Sequence, residues 1–179
     1  RKIEVKSREL FAEALFGAEH PYGISASEEC YDDVTREDVV AMYERCYTAD
    51  NCFVVMSGRI DDNVMGAVEE LVVGLSRGEA CHVKGMPTNT TYHLHSEVKD
   101  ALQSSIRIGR LLFPRTHPDF VGMQVVASIL GGYFGSRLMS NLREEHGYTY
   151  GVSAAMINFD SEGYFALATQ VAREHRDDA

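Results

Sequence analysis

The sequence predicts an α+β fold: one mixed, largely antiparallel sheet covered by helices. Two observations carry this. Near the end of the chain, Tyr150/Val152/Ala154/Met156 and Phe165/Leu167/Thr169/Val171 alternate with polar or small residues, and the turn "NFDSEG" joins them as an antiparallel hairpin would. Upstream, apolar residues recur at three- and four-residue spacing in segments that stop at glycines, which is the pattern of amphipathic helices.

Taken in order, residues 4–16 form a helix through Leu10, Phe11, Ala14 and Leu15, with Gly17 after it. "EHPYGISASEE" reads as a loop. Thr35 and Asp38 have the spacing of a capping box, opening a helix whose inner stripe is Val39, Tyr43 and Cys46/Tyr47. "CFVVMSG", residues 52–58, is apolar without alternation, as a strand covered on both faces would be. Asp61/Asp62 cap a helix bearing Val64, Val68, Leu71, Val72 and Leu75. Residues 76–90 are rich in Gly, Pro and Thr and suit a long surface connection.

Strands are expected over 91–98 and 103–113, with Ile106, Ile108 and Leu112 on one face of the second. "HPDFVGMQVVASILGG" is apolar almost all round and predicts a buried helix between Pro118 and Gly131-Gly132. A further helix over 136–146 starts on Ser136, packs through Leu138, Met139 and Leu142, and stops at Gly147.

At 179 residues, 45% hydrophobic and 25% charged, the chain can bury the core of one domain, taken as 1–179. It begins on Arg1 and ends in the polar "REHRDDA", so it is expected to be a piece of a longer chain, cut at both ends. The net charge is −10 with no Lys/Arg cluster, which argues against nucleic acid and anionic membrane as partners. No apolar run has the length of a membrane span and no signal peptide is visible; a soluble protein is expected, the cytoplasm favoured and the compartment otherwise open. Cys30, Cys46, Cys52 and Cys81 lack C-x-x-C spacing and are expected as buried reduced thiols.

The Glu-His pairs at 19–20, 145–146 and 174–175 suggest zinc, but the residue three before each Glu is Phe16, Leu142 or Val171, none of which can ligate. His93 and His95 share a face of a predicted strand, two ligands where catalytic zinc needs three. There is no G-x-S-x-G elbow and no Walker loop, and "GGYFG" follows a helix, which weakens it as a phosphate cradle. Arg143, in the last turn of a helix, and Tyr150, opening the next strand, flank a short turn at Gly147. Such a corner could bring two hydrogen-bond donors to a peptide carbonyl or oxyanion. From spacing alone the favoured reading is the plainer one, in which Arg143 complements its helix C-terminus and Tyr150 is half-core.

"GGYFGSRLMSNLREEHGYTYGV" resembles the S-R-L…L-R-x-x-x-G-x-x-Y block of the pitrilysin/insulinase family of zinc peptidases, which includes mitochondrial processing peptidase. "HPYG", "VTREDVVAMYERCYTADNCFVVMSGRID" and "SSIRIGRLLFPRTHPDF" follow the family's order, so the likeness extends to about Val171. The resemblance implies a processing-peptidase-like lobe, the second, C-terminal, non-zinc and substrate-binding one. The whole enzyme would be a zinc metalloendopeptidase acting on short or unfolded peptides. Zinc would belong to the full-length enzyme, on a lobe absent here; this chain would bind no metal, hold no catalytic residue and be inactive alone. Arg143 and Tyr150 match the family's substrate-contacting Arg and Tyr. The implied partners are the peptide substrate, the zinc-bearing lobe of the same chain, and a homodimeric or paired half. The alternative within the family is a non-catalytic structural or partner subunit.

Overall fold

The computed structural model describes residues 2–80, 88, 90–159 and 161–179. They divide into two compact units, Arg1–Ser25 with Gly85–Ala179, and Ala26–Lys84.

The larger unit is built on a three-stranded antiparallel sheet in which β3 (Gly163–Ala172) lies between β1 (Gln103–Leu112) and β2 (Thr149–Asn158). Leu167 stands opposite Ile108 on one side and Ala154 on the other, and Val171 near the end of β3 is only 1% exposed. Helix α1 (Ile3–Phe16) packs beside β1 and ends as Gly17 (φ +92°) donates its N–H to the Glu13 carbonyl at 2.7 Å. Phe16, 2% exposed, meets His20, Tyr22, Phe159 and Tyr164, with ring centroids 5.1 to 6.1 Å away. Tyr22 stacks on Phe159 at 3.8 Å, and the Tyr22 N–H donates to His20 Nδ1 at 3.1 Å. The "HPYG" loop is thus an aromatic clasp between α1 and the β2–β3 hairpin.

Helix α5 (Phe120–Ala127) continues through a π-type segment, Ser128–Gly132. It presses on β2 at Gly131, where an added Cβ would lie 2.7 Å from the Ala154 nitrogen. A last helix over 137–145 widens into π-type turns across Met139–Glu145 and brings Met139 and Leu142 onto Val152, with Leu138 and Tyr148 beside them.

The smaller unit holds α2 (Glu29–Asp32), α3 (Arg36–Cys46) and α4 (Asp62–Val73). The expected capping box is present: the Asp38 N–H donates to Thr35 Oγ1 at 3.2 Å, and the Thr35 N–H to Asp38 Oδ2 at 3.0 Å. The Thr35 hydroxyl also donates to that carboxylate, and these bonds hold the Asp38 pKa below its usual value. Asp61 caps α4 through the Val64 N–H at 3.1 Å. Val68 and Val72 form its half-buried side, whereas Val64 and Leu71 are exposed.

Several expectations are corrected. Residues 52–58 form no strand, and Phe53 is 87% exposed; among the described residues their unit has no second strand with which to share a ladder. Residues 91–98 are also irregular, with Thr91 donating to the Ala14 carbonyl at 2.7 Å rather than entering the sheet. The α5 helix is present but not buried all round: Ala127 is buried while Val121, Val125 and Ile129, four residues apart, form an exposed row. Val39 and Tyr43 are exposed, as is Ile108 on the expected inner face of β1. Cys30 and Cys52 are exposed thiols and Cys46 is half-buried; Cys81 and most of the 76–90 connection's second half lie outside the described residues. The short α2 begins at Glu29, the last residue of the expected loop, and is not foreseen because four residues leave no apolar periodicity to detect.

The aromatic clasp should dominate the stability of the larger unit. Phe16→Ala is expected to cost roughly 3–5 kcal/mol in denaturant unfolding, the usual range for emptying a buried aromatic site.

Candidate functional site

The helix carrying Arg143 ends by an αL turn. Gly147 (φ +68°) donates its N–H to the Arg143 carbonyl at 3.1 Å, His146 donates to Asn141 at 3.1 Å, and Tyr148 to Leu142 at 2.9 Å. The carbonyls of three consecutive residues are therefore satisfied by backbone N–H groups. The Arg143 side chain instead lies with its guanidinium carbon 4.6 Å from the Phe134 ring centroid and 5.1 Å from that of Tyr150. Its Nε is 3.6 Å from Glu144 Oε1. Each cation–ring contact contributes about 0.5–1 kcal/mol at an exposed site and orients the planar group.

Tyr150 does not follow the alternation expected of it. Thr149 pairs with Val171 and Val152 with Thr169, so Tyr150 and Gly151 together face Gln170. This one-residue bulge moves Tyr150 off the buried face of Val152 and Ala154, leaving it 90% exposed, and puts Thr149 in the buried row instead. Half-core packing of Tyr150 is thereby overturned. The structure brings a half-buried Arg143 against an exposed Tyr150: a guanidinium with five N–H donors and a phenol with one O–H. Chemically, such a pair can donate to carbonyl or carboxylate oxygens of a ligand.

Phe134 was not anticipated at this corner. Its segment, "GGYFG", carries a glycine pattern that suggests a phosphate cradle, and ring contacts between sequence-distant residues have no periodicity to announce them.

The Glu-His pair at the helix end has separate engagements. Glu145 accepts from Asn141 Nδ2 at 3.0 Å, and His146 stacks on Tyr148 at 5.0 Å, whose other face meets His175 at 4.6 Å. His93 and His95 lie on the irregular 91–98 segment instead of a strand face, with His95 Nε2 3.8 Å from Glu97. No group of three His, Cys, Asp or Glu side chains able to hold a metal occurs among the described residues, so they do not fit the zinc that the resemblance implies. Nor, among them, is any helix long and apolar enough to cross a membrane. A wide groove of about 1120 Å³ lies elsewhere, between α1, the 90–98 segment and β1, and includes neither Arg143 nor Tyr150.

The family model of the peptidase M16 inactive domain matches residues 33–179. An uncharacterized zinc protease of Mycobacterium leprae is 27% identical over 169 residues, covering 89% of this chain and 37% of that protein. A probable inactive metalloprotease of Bacillus subtilis is 25% identical over 149 residues, covering 78% of this chain and 34% of its own length. The crystal structure of a peptidase M16 inactive domain from Pseudomonas fluorescens superposes with a TM-score of 0.88 at 24% identity, covering 97% of this chain and 43% of that one. This chain belongs to the peptidase M16 inactive-domain family, and its likeness to pitrilysin-type peptidases rests on that membership. It spans well under half the length of the curated relatives it matches.

Two outcomes are expected. Gly147→Ala forces a Cβ into the left-handed region and should cost roughly 1–2 kcal/mol, read from the denaturant midpoint. The chain expressed alone should retain no stoichiometric zinc after exhaustive dialysis, checked by elemental analysis; one tightly held zinc per chain would contradict the expectation of a non-zinc lobe.

Proposed function

We propose that this chain is a single substrate-contacting, non-zinc lobe of a zinc endopeptidase that cleaves short or unfolded peptides. In this reading Arg143 and Tyr150 hold backbone carbonyls of the peptide, and the metal and its chemistry belong to another lobe of the longer chain. The observation that carries the reading is the Arg143–Tyr150 pair, with the half-buried guanidinium 5.1 Å over the exposed phenol ring while backbone groups satisfy the helix-end carbonyls. An arginine needed only to complement the helix dipole would have no need of an aromatic platform or an everted tyrosine. The zinc-protease names borne by relatives supply the reaction class.

A partner is part of the proposal. The exposed apolar row Val121, Val125 and Ile129 suits burial against a zinc-bearing lobe or a paired half. The second reading, a non-catalytic partner subunit, is favoured by the relative named a probable inactive metalloprotease. In that case the Arg143–Tyr150 corner would be structural.

The test uses the full-length protein. Tyr150→Phe removes one donor and keeps the ring; Arg143→Lys keeps the charge and loses the planar fork. Each should lower peptide kcat/KM on the order of 10²-fold, with zinc content and melting temperature near parental values. Parental turnover in Tyr150→Phe would remove Tyr150 from the site. Absence of any peptide cleavage by the zinc-loaded, folded parent protein would favour the partner-subunit reading.

A further inference from the structure

The bulge that everts Tyr150 opens the β2–β3 ladder, and two threonine hydroxyls close it. Thr149 Oγ1 lies 2.7 Å from the Gln170 carbonyl oxygen and accepts the Gly151 N–H at 3.0 Å. Thr169 Oγ1 lies 2.9 Å from the Gly151 carbonyl oxygen and 2.9 Å from Thr149 Oγ1. Thr149 Oγ1 is also 2.8 Å from the Gly151 oxygen. Each hydroxyl has one proton, so a consistent arrangement has Thr149 donating to Gln170 while accepting the Gly151 N–H, and Thr169 donating to the Gly151 carbonyl. Thr149 is buried and Thr169 half-buried, so water is a poor substitute for either hydroxyl.

These bonds bracket Tyr150 on both sides, through Thr149 before it and Gly151 after it. In a bulge-free strand Tyr150 would share the face of Val152 and Ala154, which is the buried face. The register shift is thus what separates an everted phenol from an inward one, and the hydroxyl pair is what spans the shift. We propose that Thr149 and Thr169 are positioning residues that lock the bulge and hold Tyr150 outward beneath Arg143. The proposal rests on the substrate-contact reading for its effect on turnover, but the positioning itself can be read independently.

The experiment again uses the full-length protein, with Thr149→Val, Thr169→Val and Thr149→Ser as variants. Val keeps the shape and removes the hydroxyl; Ser keeps the hydroxyl and serves as the rescue. Position is read by the rate at which tetranitromethane nitrates Tyr150, followed by peptide mapping. Function is read by peptide kcat/KM, alone and in the Tyr150→Phe background. Both Val variants should slow Tyr150 nitration several-fold, roughly as far as the ring withdraws, and lower kcat/KM about tenfold to a hundredfold, the scale of a small misplacement at a reacting centre. Thr149→Ser should stay near the parent in both. In the Tyr150→Phe background the Val substitutions should add little, because they act through the phenol.

Unchanged nitration in a folded Val variant overturns the proposal, as does a loss of turnover that adds in full to that of Tyr150→Phe. If Thr149→Val does not fold, Thr169→Val decides by the same measures. Slowed nitration with turnover untouched by Tyr150→Phe would leave the positioning intact and reject the substrate-contact reading.

Discussion

Strand β3 is the shared backbone of the larger unit, because both β1 and β2 take their ladder partners from it. Its pairing with β1 runs without interruption from Gln103↔Ala172 to Leu112↔Gly163. Its pairing with β2 is regular from Val152 to Asn158 and then admits one extra residue before Thr149↔Val171. The extra residue must leave the sheet, and its side chain changes face when it does. The exposure of Tyr150 follows from that count of residues between two fixed pairings, and not from any preference of tyrosine for solvent.

At the corner, main chain and side chain of Arg143 have different tasks. Its carbonyl receives the Gly147 N–H and closes the helix, while its guanidinium spans the Phe134 and Tyr150 rings. The widened π-type turns and the left-handed Gly147 bring the chain from helix to strand within a few residues, so the orientations of the two donors are coupled. Backbone satisfaction of the helix end leaves the guanidinium to the two rings and to Glu144. The same turn places His146 against Tyr148 and leaves Glu145 with Asn141, which disperses the one local Glu-His pair that invited a metal reading.

The chain is acidic overall, and at the corner the Glu144 carboxylate, 3.6 Å from Arg143 Nε, stands beside the guanidinium and phenol donors. A peptide carbonyl is a neutral dipole and needs no surrounding field to be held; directional N–H and O–H groups suffice. Under the proposed function this would make the site indifferent to substrate side chains, since every peptide unit carries the same acceptor.

The sequence by itself determined the elements whose causes are local. The capping box at Thr35/Asp38, the Asp61 cap, the stop at Gly147, β1 and the final hairpin all depend on residues within a turn or two of one another. The Arg143/Tyr150 pair was legible as a motif, though its spacing alone left Tyr150 assigned to the inner face. Tertiary structure decided everything that needed a distant partner. Residues 52–58 and 91–98 have strand-like composition, but a strand exists only where another backbone meets it, and composition says nothing of that. Burial of α5 was overestimated for the same reason: an apolar surface records what could be buried, while the neighbours decide which side is. The bulge is the sharpest case. Alternation reveals a two-residue period but not the place where one residue is extruded, because that place is set by register against β3, whose partner residues lie about twenty positions away in the chain.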